Sequence, residues 1–277
     1  MGLFFSLFFT AGRGAKNMKN NFAGHNANND KPRYVFFHVP HDGNAFPDEL
    51  MTSVCISRDE FMYYHNQMRD IDARYMIPDE YVAQSECFEV SRLLCDVERF
   101  IGPQEIMERY GMGFCYEKVY NQKTIKHIDE SLMLATRKYY DAHHRKLCDM
   151  CNGHSSVLFF DMHSYANELI QPHAVMKSTP DLCIGTDADF TPPMLTEIVR
   201  KRFSEIGFSI AENAPYEGLY VPENVLYRQI SCDFVGVMLE FNKRCYCDDN
   251  GHSISNRLDL IKAALGRVIS DCKAMHL

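Results

Sequence analysis

The sequence predicts an α/β protein: a mostly parallel, mixed sheet covered by helices on both faces. Short apolar runs rich in β-branched and aromatic residues alternate with segments of helical periodicity, and strands separated by helices of ten or more residues pair in parallel. The 277 residues are 46% hydrophobic and 24% charged, which excludes disordered, collagen-like and long coiled-coil chains. No internal repeat occurs, so one α/β unit is the economical reading of this length.

The elements follow in order. Residues 1–10 form an apolar run far below the roughly 18 residues of a membrane span. No basic residue precedes the run and no small-x-small site follows it, which argues against a signal peptide. Met1-Gly2 with Ser6 fits a myristoylation pattern, and Met18 opens an alternative start. Residues 11–33 have linker composition. Residues 1–31 therefore read as a flexible leader or mis-assigned start, and 32–277 as a single domain.

Tyr34–Val39, ended by Pro40, is a buried strand. Residues 57–77 have mixed helical periodicity, and 89–96 read as a strand broken by Gly102-Pro103. Residues 121–150 are the longest helical candidate, with Ile125, Ile128, Leu132, Ala135 and Tyr139 on one stripe. Further strands are expected at 157–160, 208–210 and 236–241, and helices at 192–206 and 254–275.

The 29 basic and 37 acidic residues give a net charge of −8, and no basic block occurs, which excludes a phosphate-tracking nucleic-acid surface. The cysteine count, 11, is odd, and many cysteines sit in apolar runs. This is the pattern of free thiols in a reducing, cytoplasmic setting. Cys148 and Cys151 near His143, His144 and His154, with Cys245 and Cys247 downstream, fit no standard zinc ribbon spacing.

Ionisable residues gather where strands end, the usual place of a ligand site in an open α/β sheet. His41, Asp42 and Gly43 follow the first strand. Asp161, His163 and Ser164 follow 157–160, with Asp161 and His163 on one side of an extended backbone. Glu240 ends the last strand. Two imidazoles, one carboxylate and an open position make a catalytic zinc arrangement. His41 and His163 are the imidazoles, and Asp70 or Asp72 the carboxylate. Glu240 is placed to act as general base. Arg92 and Arg99 suit a substrate carboxylate or an oxyanion, against a plain surface ion pair with Asp96 or Glu98. A serine nucleophile is disfavoured because no Gly-x-Ser-x-Gly elbow surrounds Ser164.

Seven motifs stand in one order: PHDG at 40–43 with Pro47, the acidic pair Asp70 and Asp72, SRLLCDVERF at 91–100, DMHSY at 161–165, DLCIGT from Asp181, NAPYEG at 213–218, and MLEFNKR at 238–244. In this the chain resembles the N-formylglutamate amidohydrolases over roughly residues 34–247. The resemblance implies a three-layer α/β/α sandwich related to zinc carboxypeptidases. It also implies hydrolysis of N-formyl-L-glutamate, a small anionic substrate, to formate and glutamate in histidine breakdown. It makes His41, Asp70 and His163 ligands of Zn2+ or another divalent metal, and prefers Asp70 to Asp72 by its spacing to Met76. Glu240 becomes the base, Arg92 a second catalytic group, and Arg99, Asn213 and Ser164 substrate contacts. His144 corresponds to a histidine of the family's long helix. One departure is Glu98, where the family has Asn; it adds negative charge beside an anion site and opens the alternative of another N-acyl amino acid or small peptide. A binding protein that keeps the fold without catalysis is the remaining reading.

Overall fold

Among the described residues, six strands form one mixed sheet in the order β2-β1-β3-β6-β4-β5. They are β1 (Tyr34–Val39), β2 (Ser85–Cys87), β3 (Ser156–Tyr165), β4 (Leu182–Gly185), β5 (Ile210–Glu212) and β6 (Asp233–Asn242). Every pairing is parallel except that of β4 with β6. The structure, a computed structural model, describes residues 33–169 and 179–277; the leader, with its myristoylation pattern and Met18, lies outside the described residues.

The helices are α1 (Asp48–Met51), α2 (Arg58–Met68), α3 (Glu130–Cys151), α4 (Pro193–Ser204), α5 (Glu223–Leu226) and α6 (Ser255–Ala274). Strand alternation divides them between two faces. Phe37 of β1, Phe160 of β3 and Leu239 of β6 share one core with Val199 of α4 and Leu265 of α6. Phe36, Phe159 and Phe234 share the opposite core with Leu147 of α3 and Val225 of α5. The result is the expected three-layer arrangement. A third core, including Phe61 of α2, Leu93, Tyr116 and Tyr140 of α3, fills the long excursion between β1 and α3.

The α3 side of the sheet positions the site. Along β1, β3 and β6 this side is apolar at first and then turns ionisable, with His38, Asp161, His163 and Glu240 continuing the alternation. Strand register sets His38 opposite Asp161 and His163 opposite Glu240. Among the described residues, no helix is long and apolar enough to cross a membrane.

Several expected elements move. Residues 57–77 are not one helix: α2 stops at Met68, Arg69 is extended, and Asp72 is left-handed ahead of a 3-10 turn, Ala73–Met76. The cause is Asp42, whose carboxylate takes the backbone N–H groups of Asp72 and Arg74. Residues 89–96 are not a strand but a turn, in which the N–H groups of Leu94 and Cys95 reach Ser91 O. Leu93, Leu94 and Cys95 are all buried, and a short apolar run wholly inside a core has no period of two to read.

The long helix begins at Glu130 rather than 121, because Asp129 caps it by accepting from Leu132 N–H. Ile125 is buried ahead of that start. The strands expected at 157–160 and 236–241 are longer, since the DMH and EFN stretches keep alternating through their polar residues. The strand expected at 208–210 lies at β5, and β2 and β4 are additions.

Candidate metal and catalytic site

Two loops are fastened together before any ligand chemistry is considered. Asp42, fully buried, accepts from Arg69 and Arg74 side chains as well as from the two backbone amides of 72 and 74. Asp70 N–H donates to His41 O at 3.0 Å. Gly43 permits the close packing behind them: a Cβ there would lie 2.5 Å from the backbone of Glu89 and Val90. The loop after β1 and the loop after α2 therefore present His41 and Asp70 to each other, while β3 brings His163 from the sheet.

Asp70 Oδ2 lies 3.5 Å from His41 Nδ1 and 3.4 Å from His163 Nδ1. Donors on a tetrahedral zinc are roughly 3.3–3.6 Å apart, given bonds of about 2.0–2.2 Å. His41 Nδ1 and Asp70 Oδ2 are buried without a hydrogen-bond partner. Buried polar atoms are rarely left so, and two imidazoles with one carboxylate are the donor set of a divalent cation. The residues fit a metal.

The atoms behind this triad are ordered too. His41 Nε2 is 3.0 Å from Asp96 Oδ1, Ser164 Oγ donates to Asp70 Oδ1 at 3.2 Å, and His163 Nε2 lies 3.2 Å from Glu98 Oε1 and 3.3 Å from Asp161 Oδ1. Outer carboxylates of this kind fix the orientation of ligand imidazoles.

The electrostatics agree. Burial, the largest influence, pulls both imidazoles toward the neutral form. Asp96 and Asp70 around His41, and Glu98 and Asp161 around His163, outweigh it and raise both pKa values. Asp70 moves the other way: burial opposes its ionisation, but the two histidines hold it low. A field that attracts protons to two imidazoles also attracts a cation. Glu240 is buried beside them, its Oε2 without a hydrogen-bond partner. Burial pushes its pKa up to about 7; His163 and His41 pull down, Asp70 and Glu98 push up.

A cavity of about 170 Å³ opens onto these groups. Arg92, Arg99 and Ser164 line it, as does Lys243, which donates to Gln67 O at 2.9 Å. The Arg92–Asp96 contact at 2.9 Å is not a surface pair, since Asp96 is fully buried and the Arg92 side chain is only 14% exposed. Lys243 is the functional candidate that the sequence reading missed; the signal available was its place in MLEFNKR, three residues after Glu240.

Other expected site residues lie elsewhere. Asp72 accepts from Ser253 Oγ and is apart from the histidines, leaving Asp70 as the carboxylate beside them. Asn213 is not among the cavity-lining residues; it exchanges hydrogen bonds with Thr186, N–H to Oδ1 at 2.9 Å and Nδ2 to Oγ1 at 2.8 Å. His144 is a core residue: its Nε2–H donates to Val97 O and its Nδ1 accepts from Tyr220 OH. The cysteines are free, and among the described residues none belongs to a group able to hold a metal. His154 stacks on Tyr34 instead.

A three-layer α/β scaffold with imidazoles, carboxylates and a buried glutamate at the carboxyl ends of parallel strands brings together the parts that a hydrolytic site uses. Comparison gives the family: the N-formylglutamate amidohydrolase family profile matches residues 34–247, and the chain belongs to that family of hydrolases. The solved N-formylglutamate amidohydrolase of Ralstonia eutropha JMP134 shares the fold, with a TM-score of 0.71 at 16% identity over 88% of this chain and 94% of that one. A gene product of Agrobacterium tumefaciens gives a TM-score of 0.54 at 15% identity, covering 86% of this chain and 91% of that one. No curated protein matches the sequence.

Proposed function

We propose that this chain is a metal-dependent amidohydrolase that cleaves the N-acyl amide of an anionic N-acyl amino acid, with N-formyl-L-glutamate, giving formate and L-glutamate, as the first substrate to test. The observation that carries the reading is the pair of buried, unpartnered atoms His41 Nδ1 and Asp70 Oδ2, set 3.5 Å apart within reach of His163. His41, Asp70 and His163 would hold the cation, zinc by preference for two imidazoles and a carboxylate. A bound zinc supplies Lewis acidity and a water with a pKa near roughly 7.

The chain's own residues do the rest. Glu240, poised near neutrality, takes the proton of the attacking water and returns it to the departing amine nitrogen. Arg92 supplies fixed positive charge toward the developing oxyanion, and Arg99 and Lys243 toward the substrate carboxylate. Ser164 keeps Asp70 oriented. The free cysteines suit a reducing, cytoplasmic setting, and histidine breakdown is the process in which such a reaction belongs.

One observation favours a second reading of the substrate. Met68, Met107, Met112, Tyr120, Leu169 and Pro215 also line the cavity, so an N-acyl amino acid with an apolar portion would find cover there. Formate or acid release across a panel of N-formyl and N-acetyl amino acids, with zinc added, tests both. Turnover confined to N-formylglutamate supports the first reading, turnover of apolar substrates the second, and equal turnover after chelation removes the metal from the proposal.

A further inference from the structure

Asp161, His38, His143 and Glu86 stand in a line of short contacts leading away from the site. Asp161 Oδ1 is 2.9 Å from His38 Nδ1, His38 Nε2 is 2.9 Å from His143 Nε2, and His143 Nδ1 is 3.3 Å from Glu86 Oε1. Three such contacts need three hydrogens. Two neutral imidazoles carry one N–H each, and the carboxylates at the ends only accept. The line is short of one positive charge, and both histidines are buried. One further atom marks where that charge belongs: Glu98 Oε1, 3.6 Å from His38 Nδ1, is buried without a hydrogen-bond partner.

We propose that His38, Glu98 and Asp161 hold a second divalent cation beside the centre formed by His41, Asp70 and His163. Their donor atoms lie within 4.8 Å of one another; the 3.6 Å edge suits a tetrahedral ion, and the 2.9 Å edge is close to the roughly 3.0 Å between neighbouring donors of an octahedral one with bonds of about 2.1 Å. With His38 Nδ1 on a cation, its Nε2–H donates to His143 Nε2, and His143 Nδ1–H donates to Glu86. The cation then stands in for the missing hydrogen between His38 and Asp161, the other two contacts each have one, and the ligand's tautomer is fixed by an outer chain ending in a carboxylate. One imidazole and two carboxylates suit zinc, manganese or ferrous iron. His163 forms the wall between the two centres, its Nδ1 toward Asp70 and its Nε2 toward Glu98 and Asp161. A cation there also neutralises Glu98, removing its opposition to an anionic substrate. The inference depends on neither the substrate nor the activity.

Metal counting tests it. The full chain is saturated with zinc, desalted and assayed for metal against protein by mass spectrometry. Two equivalents are expected in the wild type, falling to one in Glu98→Gln and to one in Asp70→Asn. His38→Asn is the second probe of the new site, should Glu98→Gln fail to fold, and is also expected at one. A single equivalent in the wild type overturns the second site whatever the variants do. Two equivalents that persist in both Glu98→Gln and His38→Asn overturn it as well, because the second ion is then held elsewhere.

Discussion

His41 Nε2 and Asp96 Oδ1 lie 3.0 Å apart in the interior although they are 55 positions apart in sequence, and Asp96 Oδ2 accepts from Arg92 and Tyr116. One carboxylate thus orients a proposed ligand and restrains a cation of the cavity wall. Asp96→Asn should weaken metal affinity about 10–100-fold, the usual effect of removing an outer partner. Competition with a chelator measures this, and unchanged affinity would remove Asp96 from any positioning role. Asp96→Ala, which strands Arg92 without its buried partner, should cost about 3–5 kcal/mol in urea unfolding.

Glu240→Gln keeps the shape of the side chain and removes its basicity. Turnover should fall by about 10²–10⁴ while metal content stays at the wild-type value. A variant that turns over normally would show that some other group moves the proton.

Asp70→Asn should lose the metal of the first centre and all measurable turnover, yet retain the folded circular dichroism spectrum. Its neighbours are held by Asp42, not by Asp70. Retention of full metal occupancy would mean that the ion sits elsewhere.

Acid should destabilise the fold through two histidines held neutral. Burial, reinforced by Arg69 and Lys243, takes the pKa of His65 down to about 4; burial, with His143 and His38, takes that of His144 down to about 3. The unfolded chain takes up these protons near pH 6.5, so their contribution is complete above that pH and is lost progressively toward pH 4. The slope is on the order of 1 kcal/mol per pH unit for each. Glu240, raised to about 7, works the other way over this range and offsets about one of the two; urea midpoints of chelated protein should still drop between pH 7 and pH 5, and less steeply in His65→Gln. Equal midpoints at the two pH values would refute this account.

Gly43→Ala places a Cβ about where the Glu89 and Val90 backbone already stands. Backbone cannot swing aside as a long side chain can, and overpacking of this kind costs about 1–3 kcal/mol. Loss of stability with weakened metal binding is expected, because the shift falls on the loop carrying His41. A melting temperature equal to wild type would show the loop to be more pliant than its packing.

The candidate site was legible where chemistry coincides with strand alternation. His163 and Glu240 follow apolar strand residues at the correct parity, and His41 follows a strand stop. Asp70 needed the family resemblance, since nothing local separates it from Asp72; a carboxylate from another loop, Asp42, decides which of the two faces the histidines. Lys243 was hidden because its part in the cavity depends on Gln67, 176 positions away. Residues 89–96 misled because a run buried on all sides looks the same as a strand or as a turn. His143, not the singled-out His144, contacts His38, a distinction that one residue of helical rotation makes.

The Asp42 fastening bears on how such a protein lives with a changing metal supply. Small zinc modules fold only when loaded, so losing the ion means losing the molecule. Here arginine side chains and peptide amides already hold the two loops in register, and the three large cores owe nothing to the ion. On the metal dependence proposed above, the empty protein would be a standing reserve. It would be refilled without refolding, and activity would follow metal availability within the lifetime of one polypeptide.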